Sequence, residues 1–183
     1  MKIVILNGNP STANKDLDHY LESLSRELAA SGHSIQTVIL RDKDIRYCTG
    51  CWTCWWKTPG VCVHKDDMPA IYSAIMASDL VLLATPVIMG FVSALLKRAN
   101  ERFIPLLHPY FAMREGEWHH RGRYTRYPAF GIIMAKGADT DDEDIAIITD
   151  IYRRQAVNFL TSLKLAFTTD LAVKETCDAI SAL

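Results

Sequence analysis

The feature that most constrains the fold is a series of short, predominantly apolar segments. Five such segments occupy residues 2–6, 35–40, 80–84, 130–134 and 165–173. Continuous apolar runs of this length are typical of strands that are buried on both faces of a sheet. Because amphipathic stretches separate several of them, the pattern predicts an α/β fold with a parallel sheet between helices.

The helices can be placed by the spacing of their apolar residues. After the first strand, leucines recur on one helical face, and Gly32 suits the C-terminal end of that helix: they are Leu17, Leu21, Leu24 and Leu28. Further helices are predicted from residue 92 to about 103 and from about 142 to 163. Residues 105–128 show no clear period, and we expect a long excursion that is solvated or contacts another subunit.

Five parallel strands are the usual number for the flavodoxin strand order, 2-1-3-4-5. We therefore predict a flavodoxin-like three-layer sandwich formed by a single domain over residues 1–183. The length suits one domain, and no internal repeat or linker divides the chain.

Charge and hydropathy exclude several classes of partner. The formal net charge is −1, so the chain lacks the basic surface that nucleic-acid binding requires. No apolar run approaches the length of a membrane span. The first apolar run is too short for a signal peptide, and we expect a cytoplasmic protein that binds neither nucleic acid nor membrane.

Two loops are expected to meet where the predicted strand order reverses, between the first and third strands. The first loop, residues 7–14, leads from a strand into a helix N-terminus, where free backbone N–H groups favour a phosphate. It adds side-chain hydroxyl and amide donors, namely Asn9, Ser11, Thr12 and Asn14. These residue types also favour helix caps, so a capped turn that binds nothing explains the loop equally well.

The second loop follows the third strand and is largely apolar. It offers a wall for a flat ring, and its backbone can approach the polar edge of that ring. The residues concerned are Pro86, Val87, Ile88, Met89, Gly90 and Phe91. Packing against the domain, or a dimer contact, is the alternative interpretation of the same residues. If a ring binds here, we expect a Gly90→Val substitution to crowd it.

A cysteine-rich segment after the second strand has three interpretations. Its Cys-x2-Cys-x2-Cys-x7-Cys spacing could wrap a 4Fe–4S cluster, with Cys48, Cys51, Cys54 and Cys62 as ligands. Zinc fits less well, because structural zinc sites usually split into two separated pairs. The thiols could also be reduced and buried among neighbouring tryptophans. Cys177 is distant in sequence and is interpreted as structural.

Three segments of the chain together resemble a known family. They are the turn Asn7-Gly8-Asn9-Pro10, the stretch TPVIMGFVSALLK at residues 85–97, and CTGCWTCWWKTPGVCVHKDDM at residues 48–68. The chain resembles the NADPH-dependent FMN reductases among the flavodoxin-like proteins, and within them the iron–sulfur flavoproteins. Ser11 stands where that family usually has an arginine, and Ile88 stands where a tyrosine is common.

The resemblance implies bound FMN, reduced by NADH or NADPH. It also implies a homodimer that passes electrons to a small acceptor such as a quinone, another flavin, or a nitro or azo compound. No catalytic side chain is predicted, because hydride chemistry belongs to the flavin. Two alternatives stay open: an iron–sulfur flavoprotein acting as an electron carrier, and a flavodoxin-like binding protein without enzymatic activity.

Overall fold

A computed structural model describes all residues from 1 to 183. Its strands, in chain order, are β1 (Lys2–Asn7), β2 (Ser34–Ile39), β3 (Leu80–Ile88), β4 (Phe91–Val92), β5 (Leu107–Arg114), β6 (Glu117–Gly122), β7 (Ala129–Ala135) and β8 (Leu163–Thr168). Its α-helices are α1 (Asp16–Ala30), α2 (Thr53–Trp56), α3 (Met68–Ala77), α4 (Ala94–Glu101), α5 (Asp142–Asn158) and α6 (Val173–Ser181). No helix combines the length and apolar character needed to cross a lipid bilayer.

The main sheet has the order β2-β1-β3-β7-β8, and these five strands are parallel. The short strand β4 adds an antiparallel partner to β3. Counting only the parallel strands, this is the predicted flavodoxin order 2-1-3-4-5, which is thereby confirmed.

Each face of the sheet has its own buried core. One core packs β1 and β3 against α1 and α6, and the other packs the opposite faces of the strands against α3, α4 and α5. The leucine face predicted for α1 is buried as expected, and Gly32 adopts φ +85° immediately after the helix. The three-layer sandwich predicted from the sequence is confirmed.

Two expectations about the second half of the chain are wrong. Residues 107–122 do not form an irregular excursion but an antiparallel hairpin of β5 and β6, closed by a turn at Glu115 and Gly116. Both turn residues have positive φ, as a type I′ hairpin turn requires. The period was hidden because both strands are only partly buried. Residues after Thr168 leave the sheet and form α6, whose Cys177 and Ile180 pack into the core beside α1.

Candidate functional site

A cleft of about 520 Å³ lies at the carboxyl edge of the sheet. It is bounded by the loop after β1, the end of β3 and the loop after β7. From the first predicted loop it contains Asn9, Ser11 and Asn14, and from the second it contains 86–88. The structure therefore brings together the two loops that were expected to meet.

The remaining residues of the two predicted loops lie outside the lining of this cleft. Thr12 is exposed beside it. Met89 and Gly90 form the turn between β3 and β4, and the Met89 side chain is 90% exposed. Phe91 lines a different cavity, on the α4 and α5 side of the sheet.

Ser93 joins the two loops directly. Its hydroxyl donates to the carbonyl of Gly8 at 2.6 Å, and it accepts from the backbone N–H of Leu96 at 3.1 Å as the N-cap of α4. Gly8 donates its own N–H to the carbonyl of Ala84 at 2.7 Å. A Cβ at Gly8 would lie 2.7 Å from the Leu96 Cβ, so only glycine permits this approach.

The first loop is folded by its own side chains. The Asn9 amide oxygen accepts from Ser11 N at 3.0 Å, and the Ser11 hydroxyl oxygen accepts from Asn14 N at 2.8 Å. Asn14 in turn accepts from Asp16 N at the start of α1. These bonds are those of a capped turn, and they use the side-chain oxygens as acceptors, while the Asn9 amide nitrogen donates to the carbonyl of Asn14 at 2.9 Å. The Ser11 hydroxyl proton is therefore available for an acceptor in the cleft.

A buried ion pair supports this loop from below. Asp18 of α1 accepts from the Asn7 amide at 2.6 Å and lies 2.9 Å from the Arg41 guanidinium, which also donates to the carbonyl of Asn9. Burial alone would raise the pKa of Asp18, but the bonds from Arg41 and Asn7 outweigh it and keep the pKa below its usual value. The carboxylate is thus held ionised beneath the loop.

The sequence analysis missed a cation in the cleft. Lys136 and Gly137 follow β7 and line the cleft opposite the first loop. The Lys136 ammonium lies 3.4 Å from the Asp170 carboxylate at the protein surface. The sequence indicates these two residues only through their position, because both directly follow a buried parallel strand.

The structure gives Gly90 a role that is independent of any ligand. Strand β3 continues through Pro86 to Ile88, beyond its predicted end at residue 84, because β4 and β7 pair with the extension. Gly90 then has φ +73°, and an added Cβ would lie 2.5 Å from the Asp144 carboxylate in the first turn of α5. A Gly90→Val variant would therefore strain the protein even without a ring in the cleft.

The cysteine segment lies between β2 and α3 and contains α2. Cys54 is buried, Cys51 is exposed, and Cys48 and Cys62 are partly exposed, all as free thiols. Burial first, and then the neighbouring thiolates at 62, 51 and 48, raise the pKa of Cys54 to about 11. The side chains do not group three or more ligands at metal-binding distances. The effect of the three other thiols on the pKa of Cys54 indicates that all four lie in one region of the segment, and a cluster would need them to turn inward.

Both ends of the cysteine segment are fastened to the end of α4. The fully buried guanidinium of Arg102 donates to Asp66 at 2.6 Å and to the carbonyl of Arg46, also at 2.6 Å. Asp66 accepts from the backbone N–H groups of Arg46 and Met68 as well. Tyr72 of α3 donates to the carbonyl of Arg102. Arg46 precedes the first cysteine and Asp66 follows the last, so this network closes the base of the segment.

Residues 1–141 match the sequence profile of the NADPH-dependent FMN reductase family. The chain belongs to that family. Among curated proteins, it is 40% identical over 111 residues to an iron-sulfur flavoprotein of Archaeoglobus fulgidus, covering 59% of this chain and 48% of the relative. It is 28% identical over 114 residues to an iron-sulfur flavoprotein of Methanosarcina thermophila, covering 62% and 58%. The chain thus spans about half the length of the curated relatives it matches.

Solved structures share the fold at low sequence identity. An NAD(P)H:quinone oxidoreductase from Methanothermobacter marburgensis superposes with a TM-score of 0.62 at 16% identity, over 99% of this chain and 93% of that one. An FMN-dependent NADH-azoreductase from Bacillus anthracis, solved in complex with FMN, gives 0.57 at 17% identity, over 99% and 94%. At these identities the likeness establishes the flavodoxin-like fold alone.

Proposed function

We propose that the chain is an FMN-dependent NAD(P)H oxidoreductase whose single domain, residues 1–183, passes electrons to a small acceptor. The acceptor class comprises quinones, flavins, and nitro or azo compounds. The observation that carries the proposal is the cleft in which two strand-end loops meet, in a chain that belongs to the FMN reductase family. The names of the quinone oxidoreductase and azoreductase with the same fold agree with it.

The first loop and Lys136 would hold the FMN phosphate. The donors are the Ser11 hydroxyl, the amides of Asn9 and Asn14, and Thr12 at the rim. The Lys136 ammonium, across the cleft, would supply the positive charge in place of an arginine in the first loop, by turning from its exposed partner Asp170 towards the phosphate.

The flavin ring would lie against Pro86, Val87 and Ile88, with Met89, Gly90 and Phe91 at its margin. Bound FMN supplies the hydride chemistry, and the side chains position the ring and exclude water from it.

Anaerobic stopped-flow absorbance tests the activity. FMN-loaded protein mixed with NADH or NADPH should lose its flavin absorption, and a quinone added afterwards should restore it. The ratio of the two bleaching rates gives the preference for NADH or NADPH. Absence of bleaching with either nucleotide would contradict the reductase proposal.

A pair of matched variants tests the placement of FMN. Ile88 is 45% exposed in the cleft, and Ile147 is 47% exposed on α5, outside the cleft lining. We expect Ile88→Asp to weaken FMN binding by about tenfold or more, because the ring would then cover an unpaired carboxylate. Ile147→Asp should leave FMN affinity unchanged. Equal effects of the two variants in a fluorescence titration would reject the placement.

A second candidate is an iron–sulfur flavoprotein that acts as an electron carrier. The cysteine segment and the names of the curated relatives favour it. Four neighbouring thiols are a suitable donor set for a 4Fe–4S cluster, and Cys48, Cys51, Cys54 and Cys62 would hold it. Iron and sulfide analysis after anaerobic reconstitution should find about four of each per chain. Protein that takes up no iron would exclude this candidate.

We also propose a homodimer in the cytoplasm. Hairpin β5–β6 exposes Tyr110 and Met113 to 60% and 55%, along with Phe111 and Trp118, and clustered apolar side chains of this kind mark contact surfaces. All five cysteines are free, as expected in a reducing compartment. Light scattering should give twice the chain mass, and Tyr110→Glu with Met113→Glu should halve it.

Protein that purifies without flavin and cannot be loaded with FMN would favour a non-enzymatic binding protein.

A further inference from the structure

A second cavity, of about 780 Å³, lies on the face of the sheet covered by α4 and α5. The C-terminal halves of these two helices form its floor, and hairpin β5–β6 and the cysteine segment form its sides. It shares no lining residue with the cleft assigned to FMN. Its volume falls within the range of small-molecule sites.

The walls of this cavity are largely aromatic. They include Trp55, Phe103, Phe111, Trp118 and Phe159. The ring of His120, also in the lining, lies between Trp55 and Phe111, with centroid distances of 4.8 Å and 4.7 Å. Such surfaces offer ring faces and edges on which a planar ligand can stack.

Four residues of the lining carry buried polar atoms without a hydrogen-bond partner. These atoms are the Tyr152 hydroxyl, Nε2 of Gln155, Oδ1 of Asn100 and Nδ1 of His120. Tyr152 is only 2% exposed. A buried polar group left unpaired costs about 1–3 kcal/mol, so a ligand that supplies partners recovers part of that cost. The set contains a donor, an acceptor, a hydroxyl that serves as either, and an imidazole nitrogen whose role depends on the tautomer.

The charged groups of the cavity are already paired. The Lys97 ammonium lies 2.7 Å from the Glu101 carboxylate, and the Arg154 guanidinium lies 3.4 Å from Glu117. Burial lowers the pKa of His120, which keeps its imidazole neutral near pH 7. Each charged group of the lining already has a counter-ion, so an ionic ligand would have to displace one of these contacts.

We propose that this cavity is a second ligand site, for an uncharged planar aromatic compound that carries both a carbonyl group and an N–H or O–H donor. The aromatic walls would stack on its rings, and the four unpaired polar atoms are the candidate partners for its polar groups. The site does not depend on FMN chemistry, so it stands or falls separately from the proposed reductase activity.

Acridone is a suitable probe, because it is planar, uncharged and unreactive towards thiols, and it carries one carbonyl and one N–H group. Titration calorimetry on FMN-loaded protein should show one acridone bound per chain. Anthracene-9-carboxylate is a tricyclic aromatic compound of similar size that carries a negative charge and lacks the N–H donor, and it should bind at least about tenfold more weakly. Failure of acridone to bind, or equal binding of both compounds, would overturn the proposal.

Two isoleucines one turn apart on α5 provide the matched variants. Ile151 is 41% exposed and lines the cavity, whereas Ile147 is 47% exposed and does not. Ile151→Trp should fill the entrance and weaken acridone binding by about tenfold or more, and Ile147→Trp should not change it. Equal affinities of the two variants would overturn the proposal. Weaker acridone binding in Ile88→Asp, with unchanged binding in Ile151→Trp, would also overturn the proposal, because acridone would then lie in the FMN cleft.

Tyr152→Phe removes one unpaired hydroxyl and leaves the shape of the cavity intact. It should weaken acridone binding by about fivefold, the value of one ordinary hydrogen bond. The unfolding temperature should not fall, because the hydroxyl has no partner in the protein. A purely structural role for Tyr152 would leave acridone affinity unchanged, and that result would remove this residue from the site.

Discussion

The buried pair formed by Asp66 and Arg102 gives the sharpest test of how the cysteine segment is held. The two side chains are 0% and 1% exposed, and the nearest nitrogen and oxygen are 2.6 Å apart. An Asp66→Asn variant keeps the size of the side chain and removes its charge. The Arg102 guanidinium is then buried without a counter-ion.

A second ion pair, with almost the same distance between nitrogen and oxygen but exposed to solvent, provides the control. Lys97 and Glu101 are paired at 2.7 Å, but their side chains are 43% and 45% exposed. Breaking a buried pair from one side costs about 3–5 kcal/mol, whereas an exposed helix pair contributes about 0.3–0.5 kcal/mol. Asp66→Asn should therefore lower the free energy of unfolding several times more than Glu101→Gln.

Urea unfolding followed by tryptophan fluorescence measures both variants. For a chain of this size, a loss of about 3–5 kcal/mol in the free energy of unfolding of Asp66→Asn corresponds to a fall in Tm of roughly 6–20 °C. If the two variants lose the same stability to within about 1 kcal/mol, burial does not determine the strength of this pair, and the reasoning fails.

The contacts of Asp66 also determine how its contribution to folding stability depends on pH. Burial by itself would raise the pKa of Asp66, but the bonds from Arg102 and from the backbone outweigh it, so the folded-state pKa lies below the usual value. A lowered carboxyl pKa contributes stability that is complete above the unfolded-state value of about 3.9 and is lost as the pH falls through the folded-state value. The difference in stability between the wild type and Asp66→Asn should be constant from pH 5 to 8 and shrink below about pH 4.

Two further predictions concern the loops and the thiols. Ser93→Ala removes the N-cap of α4 and the bond to Gly8, and it should lower the free energy of unfolding by about 1–2 kcal/mol in the same urea assay; an unchanged midpoint would show that the hydroxyl does not join the loops. Cys54→Ser should abolish iron uptake on anaerobic reconstitution, whereas Cys177→Ser in the core beside α1 should not; equal iron contents would show that Cys54 is not a ligand.

Much of the candidate site could be anticipated from residue order. The strand-end positions of Asn9 and Ser11, and of Pro86 and Ile88, sufficed to place them at one edge of a parallel sheet. Lys136 could not be assigned in the same way, because a lysine after a strand is usually an ordinary surface residue. Only its position across the cleft gives it a role.

The hairpin and the second cavity could not be predicted from the sequence pattern. In β6, Trp118 is 69% exposed and His119 is buried, which reverses the order that hydrophobicity suggests. His119 is buried because the hairpin folds against α5, and such a contact between distant segments leaves no period in the sequence. The cavity is formed by four segments separated along the chain, so no local pattern indicates it.

By itself, the sequence determined the α/β class, the five parallel strands, the buried face of α1 and the two loops at the strand ends. These features depend on periodicity and on turn residues, which act within a few positions of one another. The tertiary structure alone decided which charges are paired, as in the contact of Asp66 with Arg102, and which polar atoms stay unpaired, as at Tyr152. Burial and pairing depend on neighbours far away in the chain, and only the packed fold brings those neighbours together.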